Sequence, residues 1–373
     1  MRLSAALKAK APHDIFPAIV CHLCEVSIES MTIHVGLIGG GNISETHAHA
    51  ALAIPGVSIA AICGSNLEKV RRLVAKFGGK PYEKLNDFLA HAPMDFVAIG
   101  SPSGLHAAQG IAAARQGLHV LTEKPIDISV ANADALIAAA RSRNVKLGVM
   151  FQDRFKPEIR KLKQWLERGV IGKPLLADAR VKWYRPPQYY ADSKWRGTVE
   201  LDGGGALINQ AIHTLDLLLW LMGDVDRIQS SLATGFHNIE AEDLAVAVLK
   251  FSSGARGVLQ ASTAVFPGYP RRVEITGTEG TIVLEHDRVV AVDLRNPPED
   301  VRPDPPSEES ENVASALVSD ISGHRAIFAD FIRAIQEDRE PACDGREGRR
   351  SIALVEEIYR AAGKSRPLSR SAD

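Results

Sequence analysis

The chain has 373 residues, of which 45% are hydrophobic and 24% charged, and its 44 basic and 45 acidic side chains give a net charge of −1. This length is about twice that of an average domain of ~150 residues, which predicts two domains in an ordinary globular protein. Because the charges nearly cancel and no basic stripe occurs, the composition argues against binding to nucleic acid or to a membrane surface.

The cysteines and the N-terminal residues bear on where the protein works. The four cysteines include one CxxC pair without a second pair, so they fit a reducing compartment and a cytoplasmic location rather than a disulfide framework. Residues 1–30 have no twin arginine and no uninterrupted apolar run. We therefore expect a poorly ordered extension or an over-extended start there, and no secretory signal. The long apolar stretch 206–222 is interrupted by polar residues, which predicts a core helix and not a membrane span.

Between residues 31 and 150, apolar strands alternate with amphipathic helices, which predicts a doubly wound parallel sheet of the α/β class. The predicted strands cover 33–39, 57–63, 95–101, 118–122 and 145–150. The predicted helices cover 43–54, 67–77, 104–116 and 129–143. Asn66 offers an N-cap for the second of these helices, and Gly78 ends it.

After residue 150 the pattern changes. Pro157 predicts the start of a helix that Gly169 ends, and a long strand at 174–184, an irregular aromatic loop at 185–202 and a helix at 205–222 follow. Segments with a period of two residues then predict a mostly antiparallel sheet. These segments cover 226–234, 242–251, 255–264, 271–276 and 280–286.

The C-terminal part of the chain has three predicted features. The Pro- and acid-rich segment 296–312 predicts a surface loop or a partly disordered segment. Two helices, at 323–337 and 346–363, are predicted to close the chain.

The sequence GLIGGGNIS places a glycine-rich turn between the first strand and the first helix. Gly39, Gly41, Asn42 and Ile43 are predicted to hold the pyrophosphate of a dinucleotide. Glycine permits the tight turn and the close approach of the backbone, and the helix N-terminus offers N–H groups and the positive end of its dipole. The third position of the fingerprint is Ser44 instead of Gly or Ala, a departure that should be sterically tolerable.

The end of the second strand predicts which dinucleotide binds. A carboxylate there would hold the ribose 2′-OH of NAD, but this chain has Gly64, Ser65 and Asn66. Lys69 follows on the next helix with two arginines, and small polar residues beside cations suit a 2′-phosphate. We therefore predict NADP in preference to NAD. The alternative is that these cations only form a solvated helix face.

The segment GLHVLTEKPIDIS places Lys124 at the carboxyl end of a buried parallel strand, the edge where ligands bind in open α/β sheets. A partly desolvated lysine beside an oxidised nicotinamide would have a lowered pKa and could exchange a proton with a substrate hydroxyl. The alternative is an ordinary polar turn. The preceding strand ends in SPSGLH, whose Ser101, Pro102 and His106 are predicted to pack against the nicotinamide ribose.

The segment DGGGALINQAIHTLD offers a partner for the lysine. Asn209, His213 and Asp216 recur at i, i+4 and i+7, on one face of a helix, and three preceding glycines let another backbone come close. An amide and a histidine one turn apart, opposite the predicted cofactor cleft, favour catalytic and substrate-binding roles for Asn209 and His213. The alternative is a satisfied core histidine.

The segment KWYRPPQYYADSKWRGT supplies aromatic faces and fixed donors of the kind that bind sugar rings. We predict substrate contacts from Tyr184, Trp195 and Arg196, and a further one from Tyr269 in FPGYPRR. The alternative is that these aromatic residues pack on their own sheet or on a neighbouring subunit. Arg154 in QDRFKP is predicted either to contact cofactor or substrate or to pair with a carboxylate, and no metal-ligand set is predicted.

The motifs GLIGGGNIS, SPSGLH, TEKPI, QDRFKP and GGGALINQAIHTLD, in this order and approximate spacing, resemble the Gfo/Idh/MocA oxidoreductases. The resemblance covers about residue 32 to the C-terminus, and the Glu-Lys-Pro cluster is its most specific element. It implies a Rossmann domain at 31–150, followed at 151–373 by a domain for substrate binding and oligomerisation with an open, mostly antiparallel sheet. It also implies a homodimer or homotetramer and NAD(P)-dependent oxidation or reduction of a sugar, a sugar derivative or a cyclic polyol.

Members of this family often use a Lys, Asp and His constellation. Lys124 and His213 match it, whereas Asn209 stands where many relatives have Asp. An amide cannot take a proton, so Asn209 would only orient a hydroxyl, and acid–base chemistry would fall to Lys124 or His213. We expect Glu123 to position the lysine or cofactor, and the resemblance implies that Pro125 follows a cis bond. Two alternatives remain: a redox-neutral glycosidase with a tightly held cofactor, and a non-catalytic ligand-sensing protein.

Overall fold

The computed structural model describes residues 32–305 and 321–364. Within these ranges the chain forms two β-sheets and the helices that cover them. The predicted extension 1–30, with its CxxC pair, and the end of the predicted loop 296–312 lie outside the described residues. In the described part of the chain, no helix is long and apolar enough to cross a membrane.

The first sheet has six parallel strands in the order β3-β2-β1-β4-β5-β6, as the alternating pattern predicts. Its strands are β1 (Ile33–Ile38), β2 (Val57–Cys63), β3 (Lys80–Tyr82), β4 (Phe96–Ile99), β5 (His119–Thr122) and β6 (Leu147–Val149). The helices that connect them are α1 (Asn42–Leu52), α2 (Leu67–Phe77), α3 (Leu85–Leu89), α4 (His106–Arg115) and α5 (Val130–Ser142). The short elements β3 and α3 were not predicted.

The register of the first sheet brings four loops to one edge. Ile38 at the end of β1 pairs with Cys63 on β2 and with Ile99 on β4, and Ile99 pairs with Thr122 on β5. The residues that follow these strand ends therefore lie side by side. The strand order reverses between β1 and β4, and this is the crevice where ligands bind in open α/β sheets.

The second sheet has seven strands in the order β13-β12-β11-β7-β10-β9-β8. Its strands are β7 (Pro174–Lys182), β8 (Val225–Ala233), β9 (Leu244–Phe251), β10 (Arg256–Ser262), β11 (Arg272–Gly277), β12 (Gly280–Glu285) and β13 (Arg288–Leu294). The helices of this part are α6 (Pro157–Glu167), α7 (Pro187–Ala191), α8 (Ile212–Met222), α9 (Ser322–Gln336) and α10 (Gly345–Ala361). Only β7 and β10 pair in parallel, so the prediction of a mostly antiparallel sheet is confirmed.

The predicted helix 205–222 is not a single α-helix. Ala206–Ala211 form a π-helical turn, and α8 follows directly. The start of the turn is held by Glu242, whose carboxylate accepts the backbone N–H groups of Gly205 at 3.1 Å and Leu207 at 2.8 Å. The backbone oxygen of Glu242 accepts the N–H of Ala206 at 2.9 Å. These bonds satisfy N–H groups that lack an intrahelical partner at any helix start.

The two C-terminal helices contribute to the packing of both sheets. In α9, Phe328 and Phe331 pack against Phe96 of β4, and they belong to the apolar core under the first sheet. Helix α10 packs against α5 on one side and against α8 and β8 on the other. The last helices therefore tie the first sheet to the second.

Candidate active site

The glycine-rich turn after β1 forms an open loop at the start of α1. Gly39 has φ +132, and a Cβ there would lie 2.5 Å from Ser44 Oγ and 2.7 Å from the backbone oxygen of Gly100. A Cβ at Gly41 would meet nothing within 4 Å. Within the described ranges, no hydrogen-bond partner is found for the backbone N–H groups of Gly41, Asn42 and Ile43. Free N–H groups at the start of α1 fit the pyrophosphate of a dinucleotide.

The loop after β2 carries the small polar residues predicted to meet the ribose. Ser65, Asn66 and Lys69 are exposed, and the Asn66 side chain caps α2 by accepting the backbone N–H of Lys69 at 3.0 Å. The predicted cap is thus confirmed. Of the two arginines that follow on α2, Arg72 pairs with Glu68 at 3.3 Å on the exposed helix surface.

His106 joins the loops after β4 and β5. Its Nδ1 lies 2.7 Å from the backbone oxygen of Pro125, and its Nε2 lies 2.9 Å from the backbone oxygen of Ser101. Both ring nitrogens of His106 therefore have backbone partners. His106 holds the two loops together, and neither of its nitrogens is free to contact a ligand. Ser101 Oγ donates to Gln109, and Pro102 precedes a short 3₁₀ turn.

Lys124 lies at the end of β5, followed by a cis bond to Pro125, as the resemblance implies. Its side chain is partly buried, and Nζ donates to the backbone oxygen of Asn209 at 3.1 Å. Burial lowers the pKa of the Lys124 amine from its ordinary value, against the charges of Glu123 and Asp202, which raise it. The hydrogen bond from Nζ to Asn209 joins the loop after β5 to the π-helical turn.

Glu123 is a buried anchor beneath the lysine. Its Oε1 lies 3.0 Å from Nε2 of His47 and 3.6 Å from Nε2 of His324, and its Oε2 accepts the backbone N–H of Lys124 at 3.1 Å. Burial alone would raise the pKa of Glu123, but the neighbouring imidazoles of His324 and His47 hold it well below its usual value.

The ligand atoms of His47, Glu123 and His324 lie within 4.8 Å of one another, a spacing that a metal ion can bridge. Metal-bound histidines almost always donate through their second ring nitrogen. Here, Nδ1 of His47 and Nδ1 of His324 are buried and have no partner among the described residues. We therefore interpret the cluster as a hydrogen-bonded carboxylate that fixes the backbone at Lys124.

His213 is partly exposed in α8, directly after the π-helical turn. Its Nδ1 lies 3.6 Å from Oδ2 of Asp153, which is longer than a hydrogen bond. Burial, together with the charge of Lys124, lowers the pKa of His213 to about 3, so its ring is neutral at pH 7. Asp153 accepts from Nη1 of Arg271 at 2.6 Å. Although burial raises the pKa of Asp153, the Arg271 charge holds it below its usual value.

The Asn209 side chain is already occupied by protein groups. Its Nδ2 donates to both carboxylate oxygens of Asp202, at 2.8 and 2.9 Å, and its Oδ1 accepts from Gln210 at 3.0 Å. Only its backbone oxygen faces Lys124. Neither Asp202 nor Asp153 was predicted from the sequence as a site residue. The triglycine run that follows Asp202 and the QDRFKP motif that contains Asp153 were the available signals.

Asp216 and Arg154 form a buried ion pair with each other. Arg154 donates to both carboxylate oxygens of Asp216, at 2.7 and 2.6 Å, and to Glu347 at 2.7 Å. Of the two predicted roles for Arg154, pairing with a carboxylate is the one the structure shows. Asp216 is therefore not a partner of Asn209 and His213, despite the predicted common face.

One arginine of the aromatic loop, Arg196, stacks on two aromatic rings. Arg196 lies 4.2 Å from the ring centre of Tyr189 and 5.6 Å from that of Trp195. The Tyr189 hydroxyl accepts from Gln210, which links this stack to Asn209. Tyr184 packs elsewhere, against Phe236 and Phe266, and Tyr269 is 54% exposed. These contacts link Arg196 and Trp195, through Tyr189 and Gln210, to Asn209.

Comparison with known proteins decides the family. Residues 33–151 match the model described as an oxidoreductase family with an NAD-binding Rossmann fold, and residues 159–283 match the Gfo/Idh/MocA C-terminal domain. The chain belongs to the Gfo/Idh/MocA family. The predicted family, the predicted fold class and the predicted oxidoreductase activity with an NAD-type cofactor are confirmed.

Relatives along nearly the whole chain include dehydrogenases. Myo-inositol 2-dehydrogenase of Thermotoga maritima is 27% identical over 86% of this chain and 94% of its own length. D-apiose dehydrogenase of Paraburkholderia graminis is 29% identical over 89% of this chain and 88% of its own. The WlbA dehydrogenase of Bordetella pertussis, solved with NADH and UDP-GlcNAcA, is 32% identical with a TM-score of 0.81, covering 90% of this chain and 99% of that one.

Proposed function

We propose that Lys124 is the proton carrier of an NAD(P)-dependent oxidation or reduction at a hydroxyl or keto carbon of a sugar, a sugar derivative or a cyclic polyol. The observation that carries this proposal is the position of the amine. Lys124 Nζ lies at the carboxyl edge of the parallel sheet, 3.1 Å from the Asn209 backbone oxygen. Burial and the charge of this amine lower the pKa of His213 on α8. This chain aligns along most of the length of two sugar and polyol dehydrogenases, which supports the same type of oxidation or reduction.

The chemistry divides between the cofactor and the chain. A bound nicotinamide supplies the hydride acceptor or donor. In the oxidation direction, the neutral Lys124 amine takes the proton of the substrate hydroxyl, which its lowered pKa favours. In the reduction direction, the ammonium form returns a proton to the developing alkoxide. His213, neutral at pH 7, binds the same hydroxyl through a hydrogen bond and does not carry a charge.

The proposed activity is tested by incubating the purified protein with each dinucleotide and a panel containing myo-inositol, D-apiose and UDP-GlcNAcA. We expect the absorbance of the reduced nicotinamide to change with at least one class, and the product to contain a new carbonyl group. Conversion of a glycoside to free sugar with no net change in the cofactor would instead support the glycosidase. Binding of cofactor and sugars without any conversion would support the ligand-sensing protein.

We further propose that the chain prefers NADP to NAD. The support is local: the loop after β2 offers exposed Ser65 and Asn66 with Lys69 behind them, and residues 63–66 contain no carboxylate. Titration of tryptophan fluorescence is expected to show NADPH binding about tenfold more tightly than NADH, or about 1.4 kcal/mol. Ser65→Asp should reverse this order, because its carboxylate repels a 2′-phosphate and accepts from a ribose 2′-OH. The exposed Ser142→Asp, which adds the same charge on α5, should change neither affinity. Tighter binding of NADH by the unmodified chain would contradict this preference.

We also propose a homodimer or homotetramer assembled through the outer face of the second sheet. On β9, Leu244, Val246 and Val248 are exposed at alternate positions while their neighbours are buried. A row of exposed apolar side chains of this kind is typical of an interface. Light scattering is expected to give a multiple of the chain mass of 40.3 kDa, and Val246→Asp should lower that mass. A monomer at micromolar concentration would overturn the proposal.

We place the activity in the cytoplasm. Both cysteines of the described ranges, Cys63 and Cys343, are buried free thiols. Free thiols are the usual state in a reducing compartment.

A further inference from the structure

Asp202 is a buried carboxylate that the proposed chemistry does not use. It lies just before the π-helical turn, 1% exposed, and accepts the backbone N–H of Gly197 at 2.8 Å and the side-chain amide of Asn209. Its hydrogen bonds come from neutral groups, and Lys124 and Arg196 act on it only through their charges. Burying a carboxylate without a direct ion pair costs folding free energy. A role for the charge of Asp202 at the neighbouring lysine would account for this cost.

Asn209 joins this carboxylate to the lysine. Its side-chain amide is held by Asp202 on one side and by Gln210 on the other, and its backbone oxygen accepts from Lys124 Nζ at 3.1 Å. The partners of the amide also fix its orientation, because Nδ2 must face the carboxylate and Oδ1 the Gln210 donor. A change at Asp202 therefore reaches the lysine through a single intervening residue.

The charges around the pair come from several elements. Glu123 and Asp153 act on Lys124 with the same sign as Asp202, whereas Arg185 opposes them. Arg196 and Lys124 face Asp202 as cations, and burial raises the pKa of its carboxyl group to about 6. The hydroxyl of Tyr190, on α7, also feels the negative charge of Asp202. At pH 7, Asp202 is mostly ionised and favours the ammonium form of Lys124.

We propose that Asp202 is a positioning residue that holds the Lys124 amine in place through Asn209 and sets, by its negative charge, how tightly Lys124 keeps its proton. The proposal rests on Lys124 as the proton carrier. The alternative is that Asp202 only anchors its own loop through Gly197. The two readings differ in what relocating the charge would do.

The chain allows the charge to be relocated without changing side-chain size. Asp202→Asn removes it, and the double variant D202N/N209D moves it to the neighbouring side chain. In the double variant, residue 202 donates to residue 209 and still accepts from Gly197, and residue 209 still accepts from Gln210. Asp192→Asn, an exposed carboxylate of the same loop, is the matched control, since its charge is screened by solvent.

Two readouts decide the proposal. The first is the pH dependence of kcat for oxidation, and the second is the pH dependence of Lys124 acylation by acetic anhydride, followed by mass spectrometry without substrate. We expect Asp202→Asn to move both profiles to lower pH by roughly one unit, because removing a nearby negative charge favours the neutral amine. We expect D202N/N209D to return both profiles to the positions of the unmodified chain, and Asp192→Asn to leave them there.

Each other outcome has a defined meaning. A folded Asp202→Asn variant with unshifted profiles, or a double variant that stays shifted, would overturn the proposal. If Asp202→Asn does not fold, Asn209→Asp decides, because the added charge must move both profiles to higher pH. If the acylation profile of Lys124 shifts as expected but no sugar is turned over, the proposed function is contradicted. The effect of Asp202 on the Lys124 amine is then still supported.

Discussion

Replacing Lys124 with methionine is expected to lower kcat by about a thousandfold while changing cofactor affinity less than threefold. Methionine keeps much of the length of the side chain but removes the amine, and a positioned acid or base contributes about a hundredfold to ten-thousandfold. In the unmodified chain, kcat for oxidation should rise with pH as the amine loses its proton, below the ordinary pKa of a lysine because burial lowers the Lys124 pKa. That rise should be absent from Lys124→Met.

Two further variants make the Lys124 test specific. Lys124→Arg keeps the positive charge but cannot give up its proton near neutral pH, so it should be about as inactive as Lys124→Met. Lys76→Met removes an exposed lysine that pairs with Glu45 on the surface, and it should leave kcat unchanged. Turnover and fluorescence titration of the same preparations supply both measurements. A Lys124→Met enzyme with kcat within tenfold of the unmodified chain would show that another group carries the proton.

The first sheet was predictable from sequence because each signal was local. Buried parallel strands are continuous apolar runs, and the glycines and Asn66 mark the helix boundaries directly. Strand β3 has three residues, too few to show a period. Strand β13 follows a hairpin turn at His286 and Asp287, which have φ +49 and +65. This two-residue turn contains no glycine, which is the usual signal of a tight hairpin, so the hairpin was not predicted.

The site was only partly predictable because burial of charge is a tertiary property. Lys124 could be placed from the end of its strand. Asp153 is held by Arg271, which is 118 residues away, and no spacing rule predicts that contact. The helical period placed Asp216 near His213, but Asp216 pairs with Arg154, 62 residues away, and no spacing rule predicts that contact either. The period also did not predict the π-helical turn that begins the segment 205–222. Nothing in the sequence DGGGALINQ distinguishes a π turn from an α turn.

Gly205→Ala is expected to destabilise the protein by about 3 kcal/mol and to reduce kcat strongly. The triglycine run predicts the close approach of another backbone, and the structure identifies that backbone as the one at Glu242. A Cβ on Gly205 would lie 1.8 Å from the Glu242 oxygen and 2.8 Å from its carbonyl carbon. Because these atoms are backbone, they cannot rotate away as a side chain can. Overpacking costs about 1–3 kcal/mol, and each lost hydrogen bond adds about 1 kcal/mol.

Gly205→Ala should lower kcat because the segment that it displaces contains Asn209 and leads into α8. Gly205 donates to the Glu242 carboxylate and Ala206 to its backbone oxygen, so relief of the clash breaks the bonds that start the π-helical turn. Asn209 and His213 lie on that turn and on the helix after it, and both would move relative to Lys124. Urea unfolding and turnover measure the two effects. Gly235→Ala is the matched control: a Cβ there would meet only Asp243, at 3.9 Å, and stability should change by less than about 0.5 kcal/mol. If Gly205→Ala were as stable and active as Gly235→Ala, the β8–β9 connection would not be what positions His213 and Asn209.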